Sequence, residues 1–324
     1  MNIKKYIIKF LTYLEIEKNR SLATVKNYDF YLSRFAKWAE EHNINDPSKI
    51  GLEDVTQYRI WLNRYEDSHG NSLKKNTQNY HLIALRAFLK YLAKIDVKTM
   101  APEKIELAKM PERDVTFLEG RELERFLNAP LDGGRDAINS VSITDGTAGI
   151  IALRDKAILE TLFSTGLRVS ELVSLKIEQV DLKDKSNAQE LTVRGKGRKV
   201  RIIFLSNQAL YWIKKYLEAR RDVSPYVFVS HDKAKEGRDE TMEPLTTRSV
   251  QRIVRKYAKI AGITKKVSPH TLRHSFATNL LTNDADIRAV QIMLGHSSIT
   301  TTQIYTHITD KHLRETFIKA HKRE

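Results

Sequence analysis

The 324-residue chain has no cysteine and no long apolar run. The lack of cysteine excludes disulfide bonds, thiolate metal sites and a cysteine nucleophile, and it suits a reducing compartment. No apolar stretch approaches the roughly 20 residues that a membrane-spanning helix needs. The apolar N-terminal stretch is soon interrupted by Lys9, Glu15 and Glu17, so it indicates an amphipathic helix and not a signal peptide. We therefore expect a cytoplasmic protein.

Acidic residues are outnumbered by basic ones. The chain has 55 Lys and Arg against 40 Asp and Glu, which gives a formal net charge of +15. This excess favours a polyanionic partner, because each neutralised phosphate releases condensed counterions. A solvated basic surface explains the charge equally well. Charge alone does not choose between these two explanations.

The length of the chain favours two domains. We predict a helical first domain at 1–98, a linker with prolines and many charges at 99–114, and a second domain at 115–324. In the first domain, Ser21 is the expected N-cap of a helix that carries Leu32, Phe35 and Ala39 on one face. The linker assignment rests on its composition, which is typical of extended segments.

The second domain mixes helices with one small antiparallel sheet. Leu191 and Val193 alternate with polar residues, and apolar residues alternate again at Val200, Ile202 and Phe204. This pattern predicts a β-hairpin whose tip presents Lys196. Helical spacing resumes from His270 to the end of the chain, and the Gly-, Asp-, Ser- and Thr-rich stretch at 130–149 predicts a surface loop. The expected fold class is mostly α with a small antiparallel β-sheet.

Groups that could cut a phosphodiester without a metal are spaced along this domain. They are His270-Thr271-Leu272-Arg273-His274, Leu294-Gly295-His296, Tyr305, and Arg168 in Thr165-Gly166-Leu167-Arg168. A tyrosine hydroxyl can attack phosphorus and hold the broken strand as an ester. Paired arginines can bind the non-bridging oxygens while charge builds in the transition state.

Each of these residues also has an ordinary explanation. Tyr305 alone could be an aromatic residue packed on a helix, and the histidines could be hydrogen-bonded structural residues. Arg168 could pair with Glu171 one turn away. Lys196 could be the polar tip of a turn. The ordinary explanations weaken when the residues are considered together.

This ordered set resembles the tyrosine recombinases, also called phage-integrase-type site-specific recombinases, over nearly the whole chain. The ending is most similar to the bacterial Xer recombinases, through Ala285-Asp286-Ile287-Arg288, Leu294-Gly295-His296 and Thr301-Thr302-Gln303-Ile304-Tyr305-Thr306-His307. The resemblance implies a helical core-binding domain that forms a DNA clamp with a mixed α+β catalytic domain. The loop at 130–149 is longer than a compact Xer protein would have.

The resemblance implies a role for each matching position. Tyr305 is the expected nucleophile, which forms a 3′-phosphotyrosyl bond and releases a 5′-hydroxyl. Arg168 and Arg273 are expected to hold the scissile phosphate, and Glu171 to orient its neighbours.

Three further residues complete the expected chemistry. Lys196 is expected to protonate the leaving 5′ oxygen, His270 to assist proton transfer from the tyrosine, and His296 to donate a hydrogen bond to a phosphate oxygen. Residues expected to contact DNA or support the phosphate region are Lys74, Lys75, Asn76, Asn79, Arg86, Arg198, Lys199 and Arg201.

The expected partner is double-stranded DNA with a specific recombination site. The resemblance implies a homotetramer on two such sites, or a heterotetramer with a related recombinase, with the C-terminal tail from Lys311 as a candidate docking segment. A DNA translocase is a candidate activator. We expect no metal and no nucleotide cofactor, because the sequence has no convincing carboxylate cluster and no Walker-type loop.

Several functions remain open at this point. The leading one is strand exchange through a Holliday junction in Xer-like chromosome dimer resolution. A mobile-element integrase or transposase has the same motifs, and a type IB topoisomerase uses a similar site. A DNA-binding regulator that keeps the fold without catalysis is the alternative from a different class.

Overall fold

The computed structural model describes residues 2–110, 115–132, 147–183, 188–195, 200–231 and 243–295. The chain separates into two compact units, Met1–Arg113 and Asp114–Glu324. Each unit buries its own apolar core. Among the helices in these residues, none is both long enough and apolar enough to cross a lipid bilayer.

The first unit is an α-helical bundle in its described residues. Its helices are α1 (Ile3–Ile16), α2 (Leu22–Glu41), α3 (Leu52–Arg64) and α4 (Lys75–Lys94). The Ser21 hydroxyl caps α2 by accepting from the backbone N–H of Thr24 at 3.3 Å. The predicted start of this helix is therefore confirmed.

Aromatic side chains fill the centre of this bundle. Phe10 of α1 lies edge-on to Phe88 of α4, with ring centroids 5.8 Å apart. Tyr58 of α3 contacts Phe35 and Trp38 of α2 at centroid distances of 5.1 and 5.2 Å. All five rings are at most 1% exposed, and each such pair contributes about 0.5–1.5 kcal/mol beyond its burial. The predicted apolar face of α2 is confirmed at Leu32, Phe35 and Ala39.

The segment that follows α4 packs on the first unit. Ile105 is fully buried, directly after a 3-10 turn at Pro102–Lys104. The Asn79 amide of α4 donates from Nδ2 to the carbonyl of Ala108 at 2.9 Å and accepts from its N–H at 3.1 Å. An apolar anchor and two backbone hydrogen bonds thus hold the first part of the stretch predicted as a linker.

The second unit combines helices with a hairpin. Its described helices are α5 (Gly120–Asp132), α6 (Thr147–Thr165), α7 (Val169–Val173), α8 (Asn207–Ala219), α9 (Thr247–Ile260), α10 (Pro269–Thr282) and α11 (Ile287–Leu294). α6 lies deepest, and Ala157, Ile158 and Leu162 on it are fully buried. This helix is the centre of the unit's core.

Both ends of the predicted loop at 130–149 are helical. α5 extends to Asp132 and α6 begins at Thr147, so the predicted bounds are wrong there. Gly149 thus lies in the first turn of α6. Residues 133–146 lie outside the described residues.

The predicted hairpin is confirmed by two antiparallel strands. They are β1 (Ala188–Arg194) and β2 (Val200–Ser206), paired from Ala188 with Ser206 to Arg194 with Val200.

The register of the hairpin determines which residues of β2 face the core. Leu191 lies opposite Ile203, and Val193 lies opposite Arg201. Directly opposed residues share one face of a sheet, so Arg201 and Ile203 turn inward with the buried residues of β1. The alternation on which the prediction relied marks the outward face, at Val200, Ile202 and Phe204.

The predicted helical run from His270 consists of two helices where it is described. α10 ends at Thr282, and Asp284 adopts a positive φ of 66° in the turn. The Asp286 carboxylate then caps α11 by accepting from the N–H groups of Arg288 and Ala289. The prediction missed this break, and residues from 296 onward lie outside the described residues.

Candidate active site

A glycine turn leads from α6 to Arg168. Gly166 has φ +59°, and a Cβ at this position would lie 2.5 Å from Cδ1 of Phe276 in α10. Only glycine combines this left-handed backbone with so close an approach. The turn places Arg168 at the N-cap of α7, where its side chain is 27% exposed.

Hydrogen-bond donors surround the carboxylate of Glu171. Arg168 donates from its backbone N–H to Oε2 at 2.8 Å and from Nη1 to Oε1 at 3.1 Å. Arg201 of β2 donates from Nη1 to Oε1 at 2.8 Å and from Nη2 to Oε2 at 2.7 Å. Burial raises the pKa of Glu171, but hydrogen bonds from Arg201 and Arg168 outweigh it and leave the pKa lowered. Glu171 is therefore an ionised carboxylate between two guanidinium groups.

Three arginines converge on the C-terminal end of α11. Three consecutive carbonyl oxygens there each accept from a different guanidinium. The pairs are Arg201 Nε with Met293 (2.9 Å), Arg273 Nη2 with Leu294 (2.5 Å) and Arg168 Nη2 with Gly295 (3.1 Å). The last carbonyls of a helix lack partners within the helix and carry partial negative charge, so cations are favoured there.

Arg273 joins the two ends of this site. It lies on α10, is only 5% exposed, and donates from Nη1 to the carbonyl of Gly166 at 2.6 Å. Its second bond, to Leu294, reaches the end of α11. The glycine turn, α10 and α11 are thus linked by one side chain, and Arg168 and Arg273 belong to the same local structure.

Two histidines of α10 favour the neutral form. His270 lies in the first turn and keeps solvent access. Loss of part of its hydration, followed by the charges of Arg273 and Arg168, lowers the pKa of His270. Burial, His270 and Arg273 lower the pKa of His274 to about 4. An imidazole that is neutral at neutral pH can accept a proton.

The site as a whole suits a bound oxyanion. Arg168, Arg201 and Arg273 outweigh the charge of Glu171 and leave an excess of positive charge. A planar guanidinium binds phosphate oxygens through two parallel hydrogen bonds. The arrangement can therefore bind a phosphate and move a proton beside it.

Residues 134–312 match the phage integrase family, and residues 7–95 match the phage integrase N-terminal SAM-like domain. The chain belongs to the phage integrase family. This membership confirms the resemblance inferred from the motifs.

Relatives of this phage integrase family member are named tyrosine recombinases. Tyrosine recombinase XerC of Bacillus subtilis strain 168 is 34% identical, and the match covers 99% of this chain and 98% of XerC. Tyrosine recombinase XerA of Pyrococcus horikoshii OT-3 is 37% identical, and the match covers 96% of this chain and 92% of XerA. The family member is therefore a tyrosine recombinase of the Xer type.

A solved structure has the same fold. The crystal structure of XerH site-specific recombinase bound to palindromic difH substrate, a post-cleavage complex, superposes with a TM-score of 0.66 at 24% identity. The match covers 92% of this chain and 80% of XerH. The predicted fold class, mostly α with a small antiparallel sheet, is confirmed.

Several residues implied by family membership lie outside the described part of the chain. They are Lys196, Arg198, Lys199, His296 and Tyr305. Gly195 and Gly295, which directly precede Lys196 and His296 in the sequence, are described and lie at the arginine cluster. A Cβ on Gly195 would lie 3.6 Å from Nη1 of Arg168, and the Gly295 carbonyl accepts from Nη2 of the same side chain.

The predicted DNA contacts of the SAM-like unit separate into two groups. Those with solvent access are Lys74, Lys75, Asn76 and Arg86. Asn79 is 8% exposed, and its side-chain amide donates a hydrogen bond to the backbone carbonyl of Ala108. Asn79 therefore holds the segment that follows α4, and a contact of Asn79 with DNA stays a prediction.

Arg201 is largely buried beside Arg168. Its side chain is 7% exposed and donates to Glu171, which also accepts from Arg168, and to Met293. Its expected support of the phosphate region stays a prediction.

Sequence reasoning missed a basic face on α9. The exposed residues of this face are Arg248, Arg252, Arg255, Lys256 and Lys259. The opposite face packs into the core through Val250, Val254 and Tyr257. The signal was present, since basic residues recur at spacings of three and four residues. A phage integrase family member could use such a face against a polyanion.

Proposed function

We propose that the chain is a site-specific recombinase that cuts and rejoins duplex DNA through a 3′-phosphotyrosyl intermediate on Tyr305. The observation that carries the proposal is the convergence of Arg168 and Arg273 at the end of α11. His270, whose pKa both guanidinium groups lower, lies within their electrostatic reach. Identities of 34% and 37% to Xer recombinases over nearly the whole chain support the same activity.

Arg168 and Arg273 bind the scissile phosphate in this scheme. Negative charge grows on the non-bridging oxygens as the tyrosine attacks, and donors aimed at those oxygens stabilise the transition state. Glu171 and the carbonyls of Leu294 and Gly295 orient the guanidinium groups before DNA binds. This prior orientation reduces the reorganisation that the reaction requires.

Proton transfer accompanies the exchange of bonds at phosphorus. A bond forms from the Tyr305 oxygen to phosphorus, and the bond from phosphorus to the 5′ oxygen breaks. A phenol with a pKa of about 10 needs a base at neutral pH, and neutral His270 accepts its proton. Lys196 protonates the leaving 5′ oxygen, and His296 donates a hydrogen bond to the phosphate. Attack by a 5′-hydroxyl reverses these steps and frees Tyr305.

The scheme uses neither a metal nor a nucleotide cofactor. Guanidinium groups neutralise the negative charge of the phosphate, which a bound metal ion would otherwise neutralise. The phosphotyrosyl ester retains the energy of the broken bond, so rejoining requires no nucleotide hydrolysis.

DNA binding is proposed to use both units. The basic face of α9 serves the second unit, and Lys74, Lys75, Asn76 and Arg86 serve the first. We propose a tetramer on two DNA sites, formed by this chain alone or with a related recombinase, which exchanges strands through a Holliday junction. The Xer names of its relatives favour chromosome dimer resolution as the biological setting.

Trapping of the covalent intermediate tests the chemistry. Adducts formed by the protein on the host chromosome are mapped, and a nicked duplex is built on the recovered site so that the cut fragment diffuses away. We expect wild-type protein to accumulate an adduct and Tyr305→Phe to bind the same duplex without one. An adduct that persists in Tyr305→Phe would show that another residue is the nucleophile. Specific binding by the wild type without any adduct would instead favour a non-catalytic regulator.

Mapping the adducts also tests whether chromosome dimer resolution is the biological setting. A single chromosomal site is expected for dimer resolution. Adducts confined to the ends of a mobile element would favour an integrase instead.

A further inference from the structure

Protein groups occupy all three nitrogens of the Arg201 guanidinium. Nη1 and Nη2 donate to the two oxygens of Glu171, and Nε donates to the carbonyl of Met293. The side chain is 7% exposed, against 27% for Arg168. A buried guanidinium with a bidentate carboxylate partner is held in one geometry.

Arg201 also lies where three segments of the site meet. It is the second residue of β2, its carboxylate partner belongs to α7, and its carbonyl partner lies in the last turn of α11. A Cβ on Gly195 would lie 3.0 Å from Nη1 of Arg201, and a Cβ on Gly295 would lie 2.8 Å from its Cδ. The backbone therefore approaches this side chain closely from both the hairpin and α11.

The hydrogen bonds of Glu171 connect Arg201 to Arg168. Oε1 of Glu171 accepts from Nη1 of both arginines, at 2.8 Å from Arg201 and 3.1 Å from Arg168. Removal of Arg201 would leave this buried carboxylate paired with Arg168, and the carboxylate would shift toward it. Arg168 would then lose the orientation that suits a phosphate.

We propose that Arg201 is a positioning residue for strand cleavage, an inference that rests on the proposed function. It acts on Arg168 through Glu171. Its bond to Met293 also holds the C-terminal end of α11 close to Glu171 and Arg168. Misplacement of a reacting group by about 1 Å can slow a reaction about a hundredfold. The substitution Arg201→Lys keeps the charge but cannot make three separate bonds in a fixed plane.

A double-mutant cycle tests this role. The single-turnover rate of adduct formation at saturating protein is measured on the nicked duplex for wild type, Arg201→Lys, Arg168→Ala and the double variant, and DNA affinity is measured separately. We expect Arg201→Lys to slow cleavage by about a hundredfold while it leaves DNA affinity nearly unchanged. Because Arg201 acts through Arg168, adding Arg201→Lys to Arg168→Ala should slow cleavage little further.

Arg194→Lys is the matched control, since Arg194 is exposed on the same hairpin and has no role in the proposed site. Thermal unfolding identifies the temperatures at which each variant is folded, and the rates of adduct formation are compared only at those temperatures. If Arg201→Lys unfolds below the assay temperature, the cycle is repeated with Glu171→Gln, which keeps the shape of the side chain and removes its charge.

Two results would overturn the positioning role: wild-type cleavage by folded Arg201→Lys, or a double variant whose loss is the product of the two single losses. A wild-type protein that forms no adduct would overturn the proposed function, and the positioning role with it.

Discussion

Arg168 combines two roles that the sequence presents as alternatives. One is a structural ion pair with Glu171, and the other is a guanidinium group accessible to a phosphate. It pairs with Glu171 one turn away, with 3.1 Å between Nη1 and Oε1, as a structural arginine would. It also remains 27% exposed and lies at the end of α11 with Arg273. The ion pair therefore orients the guanidinium and still leaves it accessible to a phosphate.

Substitution of Arg168 by alanine should mainly affect the chemical step. Removal of one donor aimed at developing charge typically costs about 2.7–4 kcal/mol of barrier, which corresponds to a rate loss of about a hundredfold or more. We expect this loss for Arg168→Ala in single-turnover adduct formation at saturating protein, and near-normal rates for the control Arg194→Ala. Near-normal cleavage by Arg168→Ala would remove this residue from the site.

Site residues could be singled out from the sequence where a short motif marks them, even though their partners can be distant, as with Arg273 and Gly166, 107 residues apart. Arg168, His270 and Arg273 stand in short ordered motifs, so local spacing was enough to single them out. Asn79 and Arg201 bind partners 29 and 30 residues away. Only the tertiary fold brings such partners together, so spacing along the sequence does not reveal these hydrogen bonds.

For helices and strands, the sequence predicts which face is buried only where a single face is apolar. The helical stripes of α2 and α4 follow the 3.6-residue period, which leaves one apolar face. β2 is apolar on both faces, with Ile202 and Phe204 on one and Ile203 and Leu205 on the other. Period-2 reasoning cannot choose between two apolar faces, and pairing with Leu191 makes the choice.

α9 provides a prediction at the scale of an element. If its basic face binds DNA phosphates, replacing Arg248 and Arg252 by glutamine should weaken DNA binding and reduce its salt dependence. The slope of log K against log salt should fall by about one for each phosphate that the variant no longer neutralises. A salt titration of binding to the mapped duplex measures this slope.

A matched control separates the face from net charge. Lys5 and Lys9 are exposed on α1, and replacing both by glutamine removes the same charge as the α9 variant. An equal change in slope for the two double variants would contradict a specific role for α9.

At the scale of the whole molecule, the second unit buries polar groups that titrate near neutral pH in an unfolded chain. Burial, Arg154 and Arg220 lower the pKa of His231 from its usual 6.5 to about 4, and His231 Nε2 lies 2.9 Å from the hydroxyl of Tyr216. The pKa of His274 is lowered to about 4 as well. Both histidines are therefore neutral in the folded protein at pH values where they would bind protons in the unfolded chain.

This difference predicts a loss of stability in mild acid. Between pH 6.5 and about 4 the unfolded state binds more protons than the folded state, so the free energy of unfolding must fall as pH falls. Urea unfolding at pH 7 and pH 5 should show this decrease. The decrease should be smaller in His231→Asn, which removes one of the two groups, than in His69→Asn, whose histidine lies in an exposed turn. Equal decreases in the two variants would show that His231 does not contribute, and a protein that gains stability at pH 5 would contradict the linkage altogether.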